Sequence, residues 1–349
     1  MLGFIWFWIV AVMLVAYVVL DGFDLGVGIL HLFLARTEED RQLMLRSIGP
    51  VWDGNEVWLL AGGGTLYFAF PLVYASAFSG FYLALMVVLW LLIMRGVAIE
   101  LRMQIAMGVW KKFFDGLFFL SSALLAIFYG AALANVIRGV PLRPDGYFFL
   151  PLWTNWRVGP DAGILDWYTV IGGVVALVAL AVHGALYLAV KTEAELQRRA
   201  RATARALGTA LILLTVISLP ASMIARADTL DNYKNYPLTF AIPLVVMLSL
   251  LGMLYFSRKA SDRNAFACSC VYLTTMLVGA AIGLYPRLLP ATTGAEYDIT
   301  IANSISGPHT LHVGLIWWSF GMALAVGYFV LVYHLFRGKV SLSAGGYEH

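Results

Sequence analysis

The stretch VLDGFDLGVG at residues 19–28 and the stretch GPVWDGNEVW at residues 49–58 decide the fold of this chain. The first stretch places Asp21 and Asp24 inside an apolar run, and the second opens the next apolar run with two more acids. Acidic side chains inside a membrane span are costly and usually functional. Together the two stretches predict a helix end, a short loop and a helix start, with carboxylates on both sides.

The composition predicts an all-α, polytopic membrane protein. Of the 349 residues, 61% are hydrophobic and 12% are charged, whereas about 25% are charged in typical globular domains. Apolar runs of about 20 residues recur along the chain, which is the helix length needed to cross a bilayer. The first run has no basic residue before it and is longer than a signal-peptide core, so we expect a retained span.

We predict nine spans in a single transmembrane domain that covers residues 1–349. From the apolar runs, the spans are 4–33, 52–70, 74–98, 114–137, 166–190, 206–225, 238–256, 265–285 and 312–336. The link at residues 71–74 would make the second and third spans an antiparallel hairpin. The proline-rich segment 138–165 predicts an irregular outer cap, and the charged segment 191–205 predicts a solvated, helix-like linker.

The basic residues set the predicted orientation. With the N-terminus outside, the inner loops hold 17 of the 23 Lys and Arg residues, among them Arg95, Arg102 and Lys111. This bias agrees with the positive-inside rule. We therefore expect the N-terminus outside and the C-terminus in the cytoplasm, which an odd number of spans also requires.

Asp21 and Asp24 are three residues apart and therefore share one face of a helix. On the same segment, Gly22 and Gly26 let another helix approach closely. At the helical rise, Asp21 lies about 25 Å from the outer end of its span, in the cytoplasmic third of the membrane. The alternative is that the glycines only form a tight helix interface and that the acids reach the inner headgroups.

Asp53 and Glu56 enter the second span from the same side, after a short connection. All four acids are therefore predicted to converge on one polar pocket that is reached from the cytoplasm. Burial and mutual repulsion would favour proton uptake in such a pocket. The alternative is that Asp53 is a helix N-cap and Glu56 is its capping-box partner, which does not exclude a proton role.

No haem or metal site is predicted in this chain. Its six histidines are His31, His183, His309, His312, His334 and His349. His309 and His312 lie at the outer end of the last span, where headgroup contacts explain them, and His183 is expected to be a hydrogen-bonded interior residue. Cys268 and Cys270 point to different faces of a helix, which favours neither a disulfide nor a metal site.

The two opening stretches resemble subunit II of the cytochrome bd-type quinol oxidases. The resemblance continues through AFSGFY at 77–82, KTEAEL at 191–196 with RAR at 199–201, YPRLLP at 285–290 and TIANS at 300–304. It covers nearly the whole chain, and its first two motifs are highly specific.

The resemblance implies a nine-helix subunit paired with a subunit I in the bacterial cytoplasmic membrane. In that family haem b, haem d and the quinol oxidation site belong to subunit I, and dioxygen is reduced to water with cytoplasmic protons and without pumping. Asp53 matches an acid at the entrance of a proton path, and Trp58 matches a tryptophan near an oxygen route. Glu56 stands at a position where a Gln is also compatible with the family. The resemblance leaves open a structural quinone, a small single-span subunit and bound lipids; no nucleic-acid partner is expected.

We therefore expect a subunit that stabilises its haem-bearing partner and conducts protons, with Asp53 as the leading carrier and Asp21, Asp24 and Glu56 as further candidates. The residues alone also fit a proton- or cation-coupled transporter, which would show inverted repeats and interrupted helices near the midplane. No clear repeat is visible, and the acids cluster toward the inner side. A third interpretation is a purely structural partner whose acids only fix packing.

Overall fold

The computed structural model describes residues 1–342, and these residues form a bundle of long helices. In chain order the α-helices are α1 (Leu2–Leu34), α2 (Glu38–Ile48), α3 (Trp52–Ala69), α4 (Pro71–Gly80), α5 (Tyr82–Leu101), α6 (Gly108–Arg138), α7 (Trp167–Lys191), α8 (Ala194–Ala225), α9 (Asp231–Asn235), α10 (Ala241–Arg258), α11 (Asp262–Leu284), α12 (Ile301–Ser304) and α13 (Pro308–Leu335). Strands β1 (Arg287–Leu289) and β2 (Ile299–Thr300) pair antiparallel. Short 3-10 helices lie at Ala227–Leu230, Pro237–Phe240 and Ala295–Tyr297. His349 lies outside the described residues.

Within residues 1–342, eight helices are long and apolar enough to cross a membrane. They are α1, α5, α6, α7, α8, α10 with the 3-10 turn before it, α11 and α13. The predicted second span corresponds to α3, which is an 18-residue helix but is not among those eight. The all-α, polytopic class is confirmed, while the count of nine and the orientation stay predictions.

The predicted third span is interrupted, and the link before it is not a loop. Phe70 alone separates α3 from α4, which begins at Pro71. A proline favours the first position of a helix and disfavours helical geometry in the residue before it. A second break at Phe81 separates α4 from α5. Here the ring of Phe148 lies where a Cβ on Gly80 would be, at 2.2 Å, so the outer segment packs directly onto the helix backbone.

The connection at residues 36–50 contains a helix, α2, rather than a short loop. Its start is a capping box, in which Thr37 Oγ1 accepts from the Asp40 amide at 3.1 Å and Asp40 Oδ2 accepts from the Thr37 amide at 3.2 Å. The acidic first turn and a basic last turn favour the helix further. The chain therefore leaves α1, runs along one end of the bundle and re-enters it as α3.

The charged segment 191–205 is helical as predicted, but it is not a solvated linker. From Ala194 onward it forms the first turns of α8. Leu196, Ala200 and Ala204 recur at four-residue spacing and are buried, so one face of this segment belongs to the bundle.

Helix α1 lies at the centre, in contact with α3, α6, α7 and α11. Its residues 21–31 are all buried. A Cβ on Gly26 would lie 2.1 Å from the carbonyl oxygen of Leu180 and 2.7 Å from the backbone of Gly184, so α1 and α7 touch through their backbones. The predicted close approach at Gly26 is confirmed.

The outer segment and α13 complete the bundle. Residues 139–165 are irregular, as predicted, and the Val140 amide donates to the Pro290 carbonyl oxygen at 2.9 Å. Helix α13 packs alongside α3, as the position of Tyr328 and Phe329 next to Gly54 shows. Leu311 is the buried residue of α13, and the other residues of this helix are half-buried or exposed on this chain.

Candidate functional site

A buried arginine holds two of the predicted acids together. Arg95 donates from Nη1 to Asp21 Oδ2 at 2.8 Å and from Nη2 to Asp21 Oδ1 at 2.7 Å, which is a bidentate pair. Its Nη2 also donates to Glu56 Oε2 at 2.9 Å. Asp21 and Arg95 are fully buried, whereas the Glu56 side chain is 21% exposed. Helices α1, α3 and α5 therefore meet at this ion cluster.

The third acid, Asp24, is bound by neutral groups. Asn55 Nδ2 donates to Asp24 Oδ2 at 2.7 Å, and Tyr333 OH donates to Asn55 Oδ1 at 2.8 Å. Oδ1 of Asp24 is buried and has no hydrogen-bond partner within residues 1–342. Because Asp24 is fully buried beside Asn55, it does not reach the inner headgroups. Asp21 and Glu56 thus share Arg95, and Asp24 lies one turn from Asp21 on α1. Three carboxylates near one cation are an arrangement that can hold a proton.

Asp53 lies outside this buried cluster. It is exposed on this chain and stands in the first turn of α3. The capping interpretation of Asp53 and Glu56 is wrong, because the helix N-cap is Val51 and no side-chain hydrogen bond caps the helix. Asp53 precedes Glu56 by three residues and so shares its helix face. The structure therefore brings three of the four predicted acids together and leaves the fourth beside them at the surface.

Trp58 lies two residues beyond Glu56 on α3. Its side chain is nearly buried and packs against Phe329 of α13, with ring centroids 5.5 Å apart. In the part of the chain that the structure describes, the indole Nε1 has no hydrogen-bond partner.

A second ion cluster lies nearer the end of α1. Asp115 of α6 accepts from Arg102 Nε at 2.5 Å and lies 2.6 Å from His31 Nε2. Arg102 also donates to Glu38 of α2 at 3.0 Å, and Lys111 Nζ donates to Glu38 at 3.0 Å. These contacts connect α1, α2, α5 and α6 at one end of the bundle.

The two acids of α2 that face the bundle are held in their ionised form. Partial burial opposes ionisation of Glu38, but hydrogen bonds from Arg102 and Lys111 outweigh it and lower its pKa. Partial burial likewise opposes ionisation of Asp40, but its hydrogen bonds outweigh it and lower its pKa. Those bonds come from the Arg199 guanidinium, at 2.8 Å, and from backbone amides at the start of α2.

Several of these partners were missed from the sequence. Arg95 was assigned to an inner loop, but it is buried within α5, and a charge inside an apolar run was the available signal. Arg102 and Asp115 were not identified as partners, because helix pairing brings them together. Asn55 stands inside the quoted motif, yet it carries no charge to mark it.

The described residues do not fit a haem site. His183, predicted to be an interior residue, lies with Nδ1 2.7 Å from Ser269 Oγ and Nε2 2.9 Å from the Val19 carbonyl oxygen, so both ring nitrogens are engaged. His31 is paired with Asp115. Among residues 1–342 no group of three or more His, Cys, Asp or Glu side chains could hold a metal ion.

Comparisons with known proteins identify the family. A family model described as cytochrome bd terminal oxidase subunit II matches residues 2–336. Subunit 2 of the cytochrome bd-I ubiquinol oxidase of Escherichia coli K12 is 34% identical over 341 residues, which covers 89% of this chain and 88% of that protein. Subunit 2 of the cytochrome bd ubiquinol oxidase of Bacillus subtilis 168 is 31% identical over 340 residues, covering 97% and 96%.

A solved structure agrees in fold. A chain of the bd oxidase from Geobacillus thermodenitrificans superposes with a TM-score of 0.76 at 16% identity, and the match covers 96% of this chain and 98% of that one. None of these similarities supports the transporter alternative. Since the family model spans nearly all of the sequence, this chain belongs to the cytochrome bd terminal oxidase subunit II family.

Proposed function

We propose that this chain is the haem-free subunit of a bacterial quinol oxidase and that its buried acids carry protons toward a haem-bearing partner. The relatives' description as ubiquinol oxidase subunits supports quinol as the electron donor. The haems, held in the partner, would supply electrons to dioxygen. The bacterial relatives support an inner-membrane location.

The observation that carries the proton role is the Asp21–Arg95–Glu56 cluster beside an exposed acid. Asp53 meets solvent or the partner, and Glu56 follows it by one helical turn. Glu56 shares Arg95 with Asp21, and Asp24 lies one turn from Asp21 on α1. A proton bound at Asp53 would pass to Glu56 and then to the acids of α1. Arg95 would hold the carboxylates of Asp21 and Glu56 in place and leave Glu56 accessible from Asp53.

Trp58 is proposed to border an oxygen route, on the strength of the resemblance. Its indole lies between α3 and the exposed helix α13, which suits a position near the side of the bundle. The small single-span subunit, the structural quinone and specific lipids stay predictions.

Purification of the tagged chain in mild detergent tests the subunit assignment. We expect a second, haem-bearing membrane subunit to copurify, with visible bands of haem b and haem d. A colourless and stable protein without a partner would contradict the assignment and favour a transporter.

A further inference from the structure

A second line of polar groups follows the contact between α1 and α6, away from Asp53. On α1 its members are Tyr17, Asp24 and His31, and on α6 they are Asp115, Ser122 and Tyr129. Both sets repeat every seven residues, which keeps each set on one helix face. We call this line the α1–α6 seam.

Hydrogen bonds fix the register of the seam at both ends. His31 Nε2 lies 2.6 Å from Asp115 Oδ1, and Tyr17 OH donates to Tyr129 OH at 2.9 Å. Both helices advance 14 residues between these two contacts, so Asp24 and Ser122 stand at the same level, halfway along. The seam is about 21 Å long at the helical rise.

Two consecutive levels of the seam carry three buried polar atoms without a hydrogen-bond partner among the described residues. These atoms are His31 Nδ1, Ser122 Oγ and Asp24 Oδ1. Buried polar atoms in native proteins are nearly always bonded to protein or to ordered water. Gly28 lets α1 and α6 approach each other at Ser122, because a Cβ at this position would lie 2.1 Å from Ser122 Oγ. Unsatisfied atoms aligned along one helix contact point to bound water.

The end of the seam at His31 is connected to the surface through charged groups. Arg102 and Arg41 face Asp115, the latter with Nε 3.5 Å from Oδ2. Arg102 continues to Glu38, whose side chain is 40% exposed, and Lys111 joins Glu38 from α6. Charged or titratable groups of α1, α2, the end of α5 and α6 therefore lead from Asp115 outward.

We propose that the α1–α6 seam is a second, water-bridged proton entrance, which joins the route of the proposed function at Asp24. His31 takes protons from the predicted cytoplasmic surface, and the Asp115 carboxylate holds its imidazole in place. In one passage a proton from the Glu38 side forms an N–H bond at His31 Nδ1, and that bond then breaks. The proton moves over water at Ser122 and forms an O–H bond at Asp24, which leaves His31 neutral with its Nε2–H on Asp115. The Phe118 ring contacts His31 edge-on and keeps the passage narrow.

The first test is a high-resolution cryo-EM map of the complete oxidase. The proposal expects ordered water within hydrogen-bond distance of His31 Nδ1, Ser122 Oγ and Asp24 Oδ1. A seam without water density, in a map that resolves waters elsewhere in the bundle, would overturn it.

The second test compares His31→Gln, Asp53→Asn and the double variant in haem-matched complexes. Proton uptake during a single turnover is followed with a pH dye. Two parallel entrances predict partial slowing in each single variant and a loss in the double variant at least as large as the product of the two. His183→Gln is the matched control, an equally buried histidine away from the seam, and it should keep the normal rate.

The outcomes separate the two proposals. A double variant no slower than Asp53→Asn alone removes the second entrance but leaves the proposed function. An unaffected Asp53→Asn removes the route through Asp53. If His31→Gln does not assemble, Ser122→Ala takes its place with the same expectations, because it deletes one water ligand and little volume.

Discussion

At the scale of single residues, the site holds more acids than cations. Asp21 and Glu56 share Arg95, and Asp24 is bound by the neutral Asn55. Asp21 and Asp24 could be identified from the sequence because acids within an apolar run stand out. The Asp21 partner Arg95 could not be placed, since a residue near a predicted boundary can be either a loop charge or a buried one. Whether such a side chain is buried depends on how its helix packs against other helices, and the sequence pattern does not contain this information.

Replacement of Arg95 by leucine should destabilise the subunit strongly. Asp21 would be left buried without its bidentate partner, and breaking a buried ion pair typically costs about 3–5 kcal/mol. The measurement is the thermal unfolding midpoint of the purified complex. Adding Asp21→Asn should restore part of the loss, because one uncompensated charge disappears. An Arg95→Leu complex as stable as the parent would contradict the assigned pairing.

The stabilising effect of Asp40 should depend on pH. Its pKa is lowered in the folded chain, so its contribution is fully present above the ordinary carboxylate pKa and is lost as pH falls through the lowered value. Asp40→Asn should therefore lower the unfolding temperature at neutral pH, and the difference should shrink below about pH 4. Glu39→Gln, at an exposed neighbouring acid, is the control. A difference that is constant with pH would exclude an ionic origin.

At the scale of helices, the sequence predicted that the spanning helices exist better than it predicted where a helix is interrupted. Long apolar runs gave the spanning helices, because their length is imposed by the bilayer. The break at Phe81 was not visible, since the residues around it are as apolar as those of a continuous span. The capping-box spacing of Thr37 and Asp40 is the signal of helix α2 in the sequence, whereas a short polar connection between two apolar runs by itself favours a loop.

The backbone contact between α1 and α7 should not tolerate a side chain. Gly26→Val places carbon atoms where the Leu180 carbonyl and the Gly184 backbone lie, so the helices must separate. Overpacking of this kind typically costs about 1–3 kcal/mol or more, and the unfolding midpoint should fall. Gly63→Ala is the control, since nothing lies within 4 Å of its Cβ position. Equal midpoints for the two variants would refute the close crossing.

At the scale of the whole molecule, the chain is a helical scaffold with two buried ion clusters and a broad apolar outside. Helix α13 and the outward face of α3 remain exposed, and Asp53 lies on that exposed part of α3. The sequence motif predicted a pocket containing all four acids, but Asp53 is exposed on α3, whereas Glu56, one helical turn further on, reaches the buried Arg95. Only the helix rotation, set by packing against α1, decides which acid is buried.

The central claim is that this subunit delivers protons through its acids, with Asp53 at the surface. The most direct measurement is the quinol-driven oxygen consumption of the Asp53→Asn complex at equal haem content, beside an Asp145→Asn control on the outer segment. The account predicts that turnover falls several-fold in Asp53→Asn and stays normal in the control, with unchanged haem spectra. Normal turnover in Asp53→Asn would contradict the proton role of Asp53.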